Sequence, residues 1–222
     1  MPRIARVVIP GLTHHITQRG NYGINIFHDD KDRIEYLSRI NEYCQKFGVS
    51  VLCYCLMSNH VHFIVIPPEE NTLARIFHTA HMRYTQYFNK RKGDRGHLWQ
   101  GRFYSYVLDE GHLIEAARYI ERNPVKAKIV KKPWQWKWSS VQEHIGLQNS
   151  SFIELENLFN YIGMKKEKWR EFISDSQKET TMTTIDQHLS TGRPLGNKRF
   201  ITRLEKRLDK RLHALPWGRP RI

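Results

Sequence analysis

The chain has 222 residues, which is enough for one medium-sized domain with an extension or for two small domains. Its 36 Lys and Arg residues against 22 Asp and Glu residues give a net charge of +14, and this excess predicts a polyanionic partner, most often nucleic acid and otherwise an acidic membrane surface. No apolar stretch approaches the ~20 residues of a membrane span. The N-terminus lacks the apolar core of a signal peptide. Three cysteines do not make a disulfide framework, so we expect a cytoplasmic protein.

The first half of the chain alternates between strand and helix patterns. We expect a strand at about 12–18, a helix over 29–48 that begins at capping aspartates and ends at Gly48, and strands over 49–57 and 60–67 joined by a turn at "SN". The apolar residues of the helix recur at helical spacing. They are Ile34, Leu37, Ile40, Cys44 and Phe47.

The pattern continues through a second and a third helix. We expect a helix over 71–94, a loop and strand over 96–108, and a helix over 109–123 that begins at Asp109 and ends before Pro124. The core side of the 71–94 helix consists of Leu73, Ile76, Phe77, Ala80 and Tyr84. Interleaved strands and helices with one hairpin predict an α+β sandwich, in which helices pack on a mainly antiparallel sheet. The proposed domains are 1–145 and a helical, basic extension over 146–222.

Two histidines stand at the head of an apolar run, in "SNHVHFIVIP" (58–67). Residues two apart in a strand point to the same face, so His60 and His62 place two ring nitrogens close together while Val61 takes the other face. Paired neutral imidazoles form a metal-ligand arrangement. A solvated strand face with two polar residues is the alternative that the spacing leaves open.

The 109–123 helix carries a polar face beside its apolar stripe. On a helical wheel His112, Glu115 and Asn123 fall within about 40° of Tyr119, whereas Leu113 and Ile120 fall on the other side. A tyrosine hydroxyl and an amide oxygen on one helix face, together with a histidine pair on a sheet, can close around a divalent ion. The alternative is a surface tyrosine with an asparagine near the end of the helix.

A second interpretation places zinc in the hairpin. Cys53 and Cys55 alternate on one strand as His60 and His62 do on the next, and four such ligands could hold a structural Zn²⁺ in a non-catalytic nucleic-acid-binding protein. This spacing is not that of a zinc finger, and it leaves Tyr119 without a role.

Several motifs together resemble one family. "PRIARVVIPGLTHHITQRGN", "CLMSNHVHFIV", "GHLWQGRF", "RYIERNPVKAKIV" and "WSS" stand in this order over roughly residues 3–145. The order and spacing are similar to those of the single-tyrosine HUH transposases, and most closely resemble the REP-associated tyrosine transposases. The resemblance implies an HUH-type sandwich and a nucleoid-associated protein. It also implies a substrate of single-stranded DNA folded into short imperfect hairpins, the repetitive extragenic palindromes.

The resemblance also implies a role for each matching residue. Tyr119 matches the nucleophile, His60 and His62 match the histidine pair, and Asn123 matches the position of a third metal ligand. These residues would hold Mg²⁺ or Mn²⁺ and would cleave and rejoin DNA through a 5′-phosphotyrosine. The proton acceptor for Tyr119 stays open between His112, Glu115 and a bound water. The resemblance leaves the oligomeric state open between a monomer and a homodimer. We expect no membrane partner.

Cationic and aromatic residues are the expected DNA contacts. They are Arg3, Arg6 and Arg19 of the N-terminal segment, Lys90 and Arg91 of "NKRK", Arg102 and Trp99. Phe103 could also stack on a base, although aromatic residues at such positions more often anchor a core or a loop.

The C-terminal segment concentrates positive charge. Residues 193–222 carry ten Lys and Arg against two Asp and Glu, a local charge of +8. Within it, 197–212 predicts a helix capped by Asn197, with an apolar stripe every four residues. The stripe consists of Phe200, Leu204, Leu208 and Leu212. We expect this helix to follow the DNA backbone, with packing on the domain as the alternative, and the turn before it suggests a helix-turn-helix only loosely.

Overall fold

Four strands form one antiparallel sheet at the centre of the molecule. The computed structural model describes residues 6–147, 152–175 and 178–213. The strands are β1 (His14–Arg19), β2 (Ser50–Leu56), β3 (His60–Ile66) and β4 (Tyr104–Val107). Their order in the sheet is β2-β3-β1-β4, and each neighbouring pair is antiparallel. The expected α+β class with an antiparallel sheet is confirmed.

Helices cover both faces of this sheet. The helices are α1 (Asp30–Lys46), α2 (Thr72–Lys92), α3 (Glu110–Lys126), α4 (Val141–His144), α5 (Lys166–Ser174), α6 (Glu179–Thr191) and α7 (Lys198–Leu208). Helices α1 and α2 pack on one face over Val61, Phe63 and Val65. Helix α3 packs on the other face over Ile64. Helix α5 packs against α3, and α6 packs against both α3 and β4. No helix in the described part of the chain is both long and apolar enough to cross a membrane.

The predicted core stripes are mostly confirmed. All five predicted residues of α2 are buried. In α1 the prediction is wrong at Ile34, which is 47% exposed, whereas Tyr36 and Tyr43 are buried. The buried stripe of α1 therefore includes the two tyrosine rings, which bury more apolar area than one isoleucine.

Helix α3 does not end before Pro124, as the sequence predicts, but runs to Lys126. Proline removes one backbone donor from the helix. The carbonyls of Asn123 and Pro124 still accept 2.9 Å hydrogen bonds from the amides of Ala127 and Ile129. These bonds close the last turns of the helix beyond Pro124, which is itself buried. Asn123 therefore lies inside the helix, one turn after Tyr119.

The proposed C-terminal extension packs against the rest of the chain through α6 and α7. The backbone of Leu195, between these helices, exchanges hydrogen bonds with β4 and its end: its amide donates to Val107 and its carbonyl accepts from Asp109. On α7, Phe200 and Leu204 are buried against Val7, Ile9 and Val107. The apolar side of α7 therefore packs on the protein, as the alternative interpretation of the basic helix expected. The segment between α6 and α7 is hydrogen-bonded to the edge of the sheet, so the two helices do not form an independent helix-turn-helix.

Candidate active site

The histidine pair lies on the face of β3 that α3 covers. The ring centroids of His60 and His62 are 5.0 Å apart. His60 Nδ1 hydrogen-bonds Asn59 Oδ1 at 2.6 Å, and His62 Nδ1 lies 3.0 Å from His15 Nε2. In the described part of the chain neither ring makes a hydrogen bond through Nε2. Each ring is thus held at one nitrogen and keeps the other available.

Burial keeps both imidazoles neutral. It lowers the pKa of His60 to about 4, with the cationic Arg19 as a second cause. The pKa of His62 is also lowered, by burial first and then by charge on His60 and His15. A metal ion binds the neutral form of imidazole, so both rings are competent ligands at neutral pH.

Tyr119 lies on α3 opposite the histidine pair. Its ring centroid is 5.9 Å from that of His62 and 6.3 Å from that of His15. The sequence places Tyr119 on a polar face away from the core, but the residue is only 6% exposed because α6 covers it. Asn123 is also buried, and its Nδ2 donates to the carbonyl of Tyr119 at 3.3 Å. Helix spacing therefore places the hydroxyl and the amide on one side of α3.

An acidic side chain from the C-terminal extension reaches the tyrosine. The Tyr119 hydroxyl donates to Asp186 Oδ1 on α6 at 2.6 Å. Lys126 Nζ lies 3.3 Å from the other carboxylate oxygen and 5.1 Å from the centre of the Tyr119 ring. Asp186 is thus an anionic group in hydrogen-bond contact with the hydroxyl.

The pKa of Tyr119 is raised above its ordinary value, first by burial and then by the hydrogen bond to the anionic Asp186. The anionic carboxylate of Asp186 disfavours a negative charge on the Tyr119 oxygen, so the resting side chain is a neutral phenol.

The two side chains that the sequence left open as proton acceptors, His112 and Glu115, have other partners. His112 bonds Asp109 at 2.6 Å and stands seven residues, or roughly 10 Å of helix rise, from Tyr119. Glu115 lies 3.9 Å from Arg118.

The residues present fit a divalent cation by the chemistry of their donors. No three of the described His, Cys, Asp and Glu side chains converge as a metal site. Two neutral imidazole nitrogens and one amide oxygen form a different set, and this set suits Mn²⁺ or Mg²⁺ with open positions left over. Among the described residues the Oδ1 atom of Asn123 accepts no hydrogen bond, whereas its amide nitrogen donates to the Tyr119 carbonyl.

The zinc interpretation finds no support in the positions of the cysteines. Cys53 and Cys55 are fully buried beneath α3, where their sulfurs contact the Ala117 carbonyl and Met57. Burial raises the pKa of both thiols, whereas zinc binds thiolate. These sulfurs act as core groups.

Several of the predicted DNA contacts lie near the histidine pair. Arg19 is exposed and sits opposite His60 in the β1–β3 ladder. The 98–101 loop is tied to the end of β1, because the Gln100 amide donates to the Arg19 carbonyl and Gln18 Nε2 donates to the Gly101 carbonyl. This loop brings Arg102, which is exposed, and Trp99 to the same end of the sheet. One face of Trp99 stacks on His81 at 4.4 Å.

The other predicted contacts are placed differently. Arg91 forms ion pairs with Asp29 and Asp32, so its charge is neutralised within the protein, whereas Lys90 beside it is exposed. Arg6 lies over the Phe103 ring, 3.6 Å from its centre, and covers that face. Phe103 is buried and acts as a core residue. Arg3 lies outside the described residues.

Sequence reasoning missed Asp186, Lys126, Asn59, His15 and Tyr106. The strand alternation that pairs His60 with His62 also puts His15 on that face, so a register for β1 could have found it. Asp186 left no such signal, because 67 residues separate it from Tyr119 and only the packing of α6 joins them.

Comparisons with known proteins show the family of the chain and support its fold. The family described as "Transposase IS200 like" matches residues 9–123, just over half of the chain. No curated protein sequence matches the chain significantly. A solved structure of a REP-associated tyrosine transposase bound to a REP hairpin matches with a TM-score of 0.53 and 18% identity, covering 71% of this chain and 93% of that one.

A protein from Deinococcus radiodurans R1 with a provisional transposase assignment matches with a TM-score of 0.37 and 17% identity, over 55% of this chain and 97% of its own. That likeness is too distant to carry an argument. The likeness to the REP-associated structure supports the fold, and the family match extends from Ile9 to Asn123, across both histidines and the tyrosine. The chain belongs to the IS200-like transposase family.

Proposed function

We propose that this transposase cleaves and rejoins single-stranded DNA at hairpins through a covalent 5′-phosphotyrosine on Tyr119. The observation that carries the proposal is the position of Tyr119 opposite the histidine pair, with its ring 5.9 Å from that of His62. A nucleophile and a set of metal donors that share one enclosed face can act on one phosphate.

The reaction at Tyr119 exchanges one phosphoester bond for another. The tyrosine oxygen attacks phosphorus, the bond from phosphorus to the 3′ oxygen breaks, and the strand ends as a 3′-hydroxyl after taking a proton from solvent. The hydroxyl proton of Tyr119 passes to Asp186 Oδ1, which already accepts its hydrogen bond. The reverse step, with an incoming 3′-hydroxyl, rejoins the strands.

A carboxylate can serve as this acceptor although the phenol is much the weaker acid at rest. The oxygen becomes strongly acidic as its bond to phosphorus forms, so proton transfer becomes favourable during attack. Lys126 neutralises part of the Asp186 charge, which limits repulsion between that carboxylate and the anionic phosphate. Asp186 thereby holds the nucleophile neutral until a phosphate is in place.

His60, His62 and Asn123 would hold the divalent cation. When bound, Mg²⁺ or Mn²⁺ supplies Lewis-acid stabilisation of the charge that develops on the phosphate. The chain itself keeps both imidazoles neutral and restrains each ring through its Nδ1 atom. It also covers the tyrosine with α6, which leaves the residue only 6% exposed.

The proposed substrate is a hairpin of the repetitive extragenic palindrome type, met in the cytoplasm at the nucleoid. The solved relative is bound to such a hairpin, and the net charge of +14 suits a polyanion. Arg19, Arg102 and Lys90 are the exposed cations proposed to contact phosphates. Arg3 of the N-terminal segment and the partly exposed Trp99 are proposed as further contacts. This set does not include Arg91, which forms ion pairs with Asp29 and Asp32. It also does not include Arg6, whose guanidinium lies over the Phe103 ring. The protein would act as a monomer or a homodimer.

End-labelled hairpin oligonucleotides test the proposal. Wild-type protein should cleave one strand position in Mn²⁺ or Mg²⁺ and stop in EDTA, and His62→Ala should fold but fail to cleave. The matched control is His28→Ala, which removes an exposed histidine whose ring stacks on Phe88 and should retain cleavage. Full cleavage in EDTA by metal-stripped protein would rule the metal role out.

A further inference from the structure

A row of three buried side chains leads from β4 to the histidine pair. His15 on β1 is fully buried, with its Nε2 atom 3.0 Å from His62 Nδ1 and its Nδ1 atom 2.7 Å from the Tyr106 hydroxyl. Tyr106 is fully buried as well, and His62 is 3% exposed. The ring centroids of His15 lie 5.2 Å from those of both neighbours. No water-exposed group interrupts this row.

The hydrogen bonds along this row can run in two directions. A neutral imidazole donates at one nitrogen and accepts at the other. In the first arrangement Tyr106 donates to His15 and His15 donates to His62, which leaves a hydrogen on His62 Nε2. In the second, His62 Nδ1 donates to His15 Nε2 and His15 Nδ1 donates to the Tyr106 oxygen. Only the second leaves a lone pair on His62 Nε2, and a metal ion needs that lone pair.

The partner of the other histidine sets the same tautomer. Asn59 Nδ2 donates to the Gly23 carbonyl at 3.2 Å, so its Oδ1 atom faces His60 and can only accept. His60 Nδ1 must therefore carry the hydrogen, and His60 Nε2 carries the lone pair. Both histidines can thus present Nε2 to a common ion. The Asn59 amide oxygen holds the hydrogen of His60 Nδ1, and His15 can hold that of His62 Nδ1.

We propose that His15, backed by Tyr106, is a positioning residue that holds His62 in the tautomer and orientation in which Nε2 binds the catalytic cation. The inference rests on the proposed function, since it concerns the metal site of that reaction. Outer partners of this kind orient metal-binding histidines, and their loss typically lowers metal affinity by 10–100-fold. His15 does not touch the substrate or the cation in this scheme.

A purely structural role for His15 makes different predictions. If His15 only fills space, a phenylalanine of similar shape should serve as well as any polar residue. If it accepts a hydrogen from His62, a glutamine should serve better, because its Oε1 atom can take the place of the ring Nε2. Tyr106→Phe separates the cases further, since it removes only the oxygen that accepts from His15.

The test is Mn²⁺ affinity of the intact chain without DNA, measured by the electron paramagnetic resonance signal of free Mn²⁺ during titration. His15→Phe should weaken binding by roughly 10–100-fold, His15→Gln should recover most of the loss, and Tyr106→Phe should weaken binding several-fold. The matched control is His14→Gln. His14 is an equally buried histidine of β1 whose ring contacts the backbone of Ile9 and Leu12 rather than His62, so affinity should stay at the wild-type value.

Two outcomes would overturn the inference: a folded His15→Phe protein that binds Mn²⁺ within twofold of wild type, or a His15→Gln protein that binds no better than His15→Phe. Thermal unfolding of each variant reports on folding, and where His15→Phe does not fold, His15→Gln and Tyr106→Phe decide. His62→Ala separates this result from failure of the proposed function. If His62→Ala binds Mn²⁺ as wild type does, the metal site itself is wrong, whereas loss in His62→Ala with unchanged His15 variants rejects only the role of His15.

Discussion

The hydroxyl of Tyr119 on α3 donates a 2.6 Å hydrogen bond to Asp186 on α6, so a helix of the C-terminal extension touches the proposed nucleophile. The contact places the extension beside the proposed reaction, in addition to its expected role in DNA binding. Lys126, two turns of α3 beyond Tyr119, completes the contact through its ion pair with the same carboxylate.

Asp186→Asn should slow strand cleavage by roughly 10²–10⁴-fold, the usual contribution of a positioned proton acceptor. Asparagine keeps the size of the side chain and can still accept a hydrogen bond, but it cannot take the proton. Single-turnover cleavage of a labelled hairpin at saturating protein measures the effect. The matched control is Glu179→Gln, an equal change of charge at the exposed start of the same helix, which should leave the rate unchanged. Faster cleavage by Asp186→Asn would reject the proton acceptor and identify α6 as an inhibitory cap.

The basic side of α7 should supply affinity for the DNA backbone with little sequence preference. Arg199, Arg203 and Lys206 are exposed and line one surface cavity, while Phe200 anchors the opposite side of the helix. Replacing the three cations by glutamine should flatten the salt dependence of hairpin binding by about 2 units of slope, since each phosphate contact contributes about 0.7 for single strands. Binding of a hairpin and a scrambled strand across a salt series measures this.

Substitution is a better test here than removal of residues 193–222, because removal would expose Val7, Ile9 and Val107 and break the Leu195 bonds to the sheet edge. The control triple variant replaces Lys165, Lys166 and Lys168, which are exposed at the start of α5. An unchanged slope after substitution on α7, or an equal loss in the control, would show that the α7 charges only face solvent.

Acid should destabilise the fold through its buried histidines. Burial lowers the pKa of His14 to about 4 and that of His81 to about 3. Between about pH 4 and the unfolded value near 6.5, the unfolded chain binds protons that the folded protein does not. The free energy of unfolding therefore falls as pH is lowered through this window, by up to about 1.4 kcal/mol per pH unit for each such histidine.

Denaturant unfolding at several pH values tests this for His81. His81→Phe should reduce the slope of unfolding free energy against pH by roughly 1.4 kcal/mol per pH unit between pH 5 and 6, whatever it does to the stability at neutral pH. The exposed His28 supplies the control, His28→Phe. Equal slopes for wild type and His81→Phe would mean that the buried ring does not resist protonation.

The elements that the sequence predicted well are those whose signal is local. Alternation in β3 puts His60 and His62 on one face, and helical spacing in α3 puts Asn123 beside Tyr119. The predicted end of α3 was wrong because of Pro124. Proline disfavours helix at the residue before it, but that preference takes no account of the hydrogen bonds that the carbonyls of Asn123 and Pro124 accept from later residues. Asp186 and His15 were missed because each reaches the site through tertiary packing, across α6 in one case and across the β1–β3 register in the other.

The central claim is that Tyr119 forms a covalent bond to DNA, and the most direct measurement is the protein–DNA adduct on a denaturing gel after incubation with a 3′-labelled hairpin and Mn²⁺. Wild type should give a shifted band that carries label, and Tyr119→Phe should give none while it binds the hairpin with nearly the same affinity. Tyr161→Phe, which removes the hydroxyl of an exposed tyrosine, should form the adduct as wild type does. A labelled adduct of undiminished intensity in Tyr119→Phe would contradict the account.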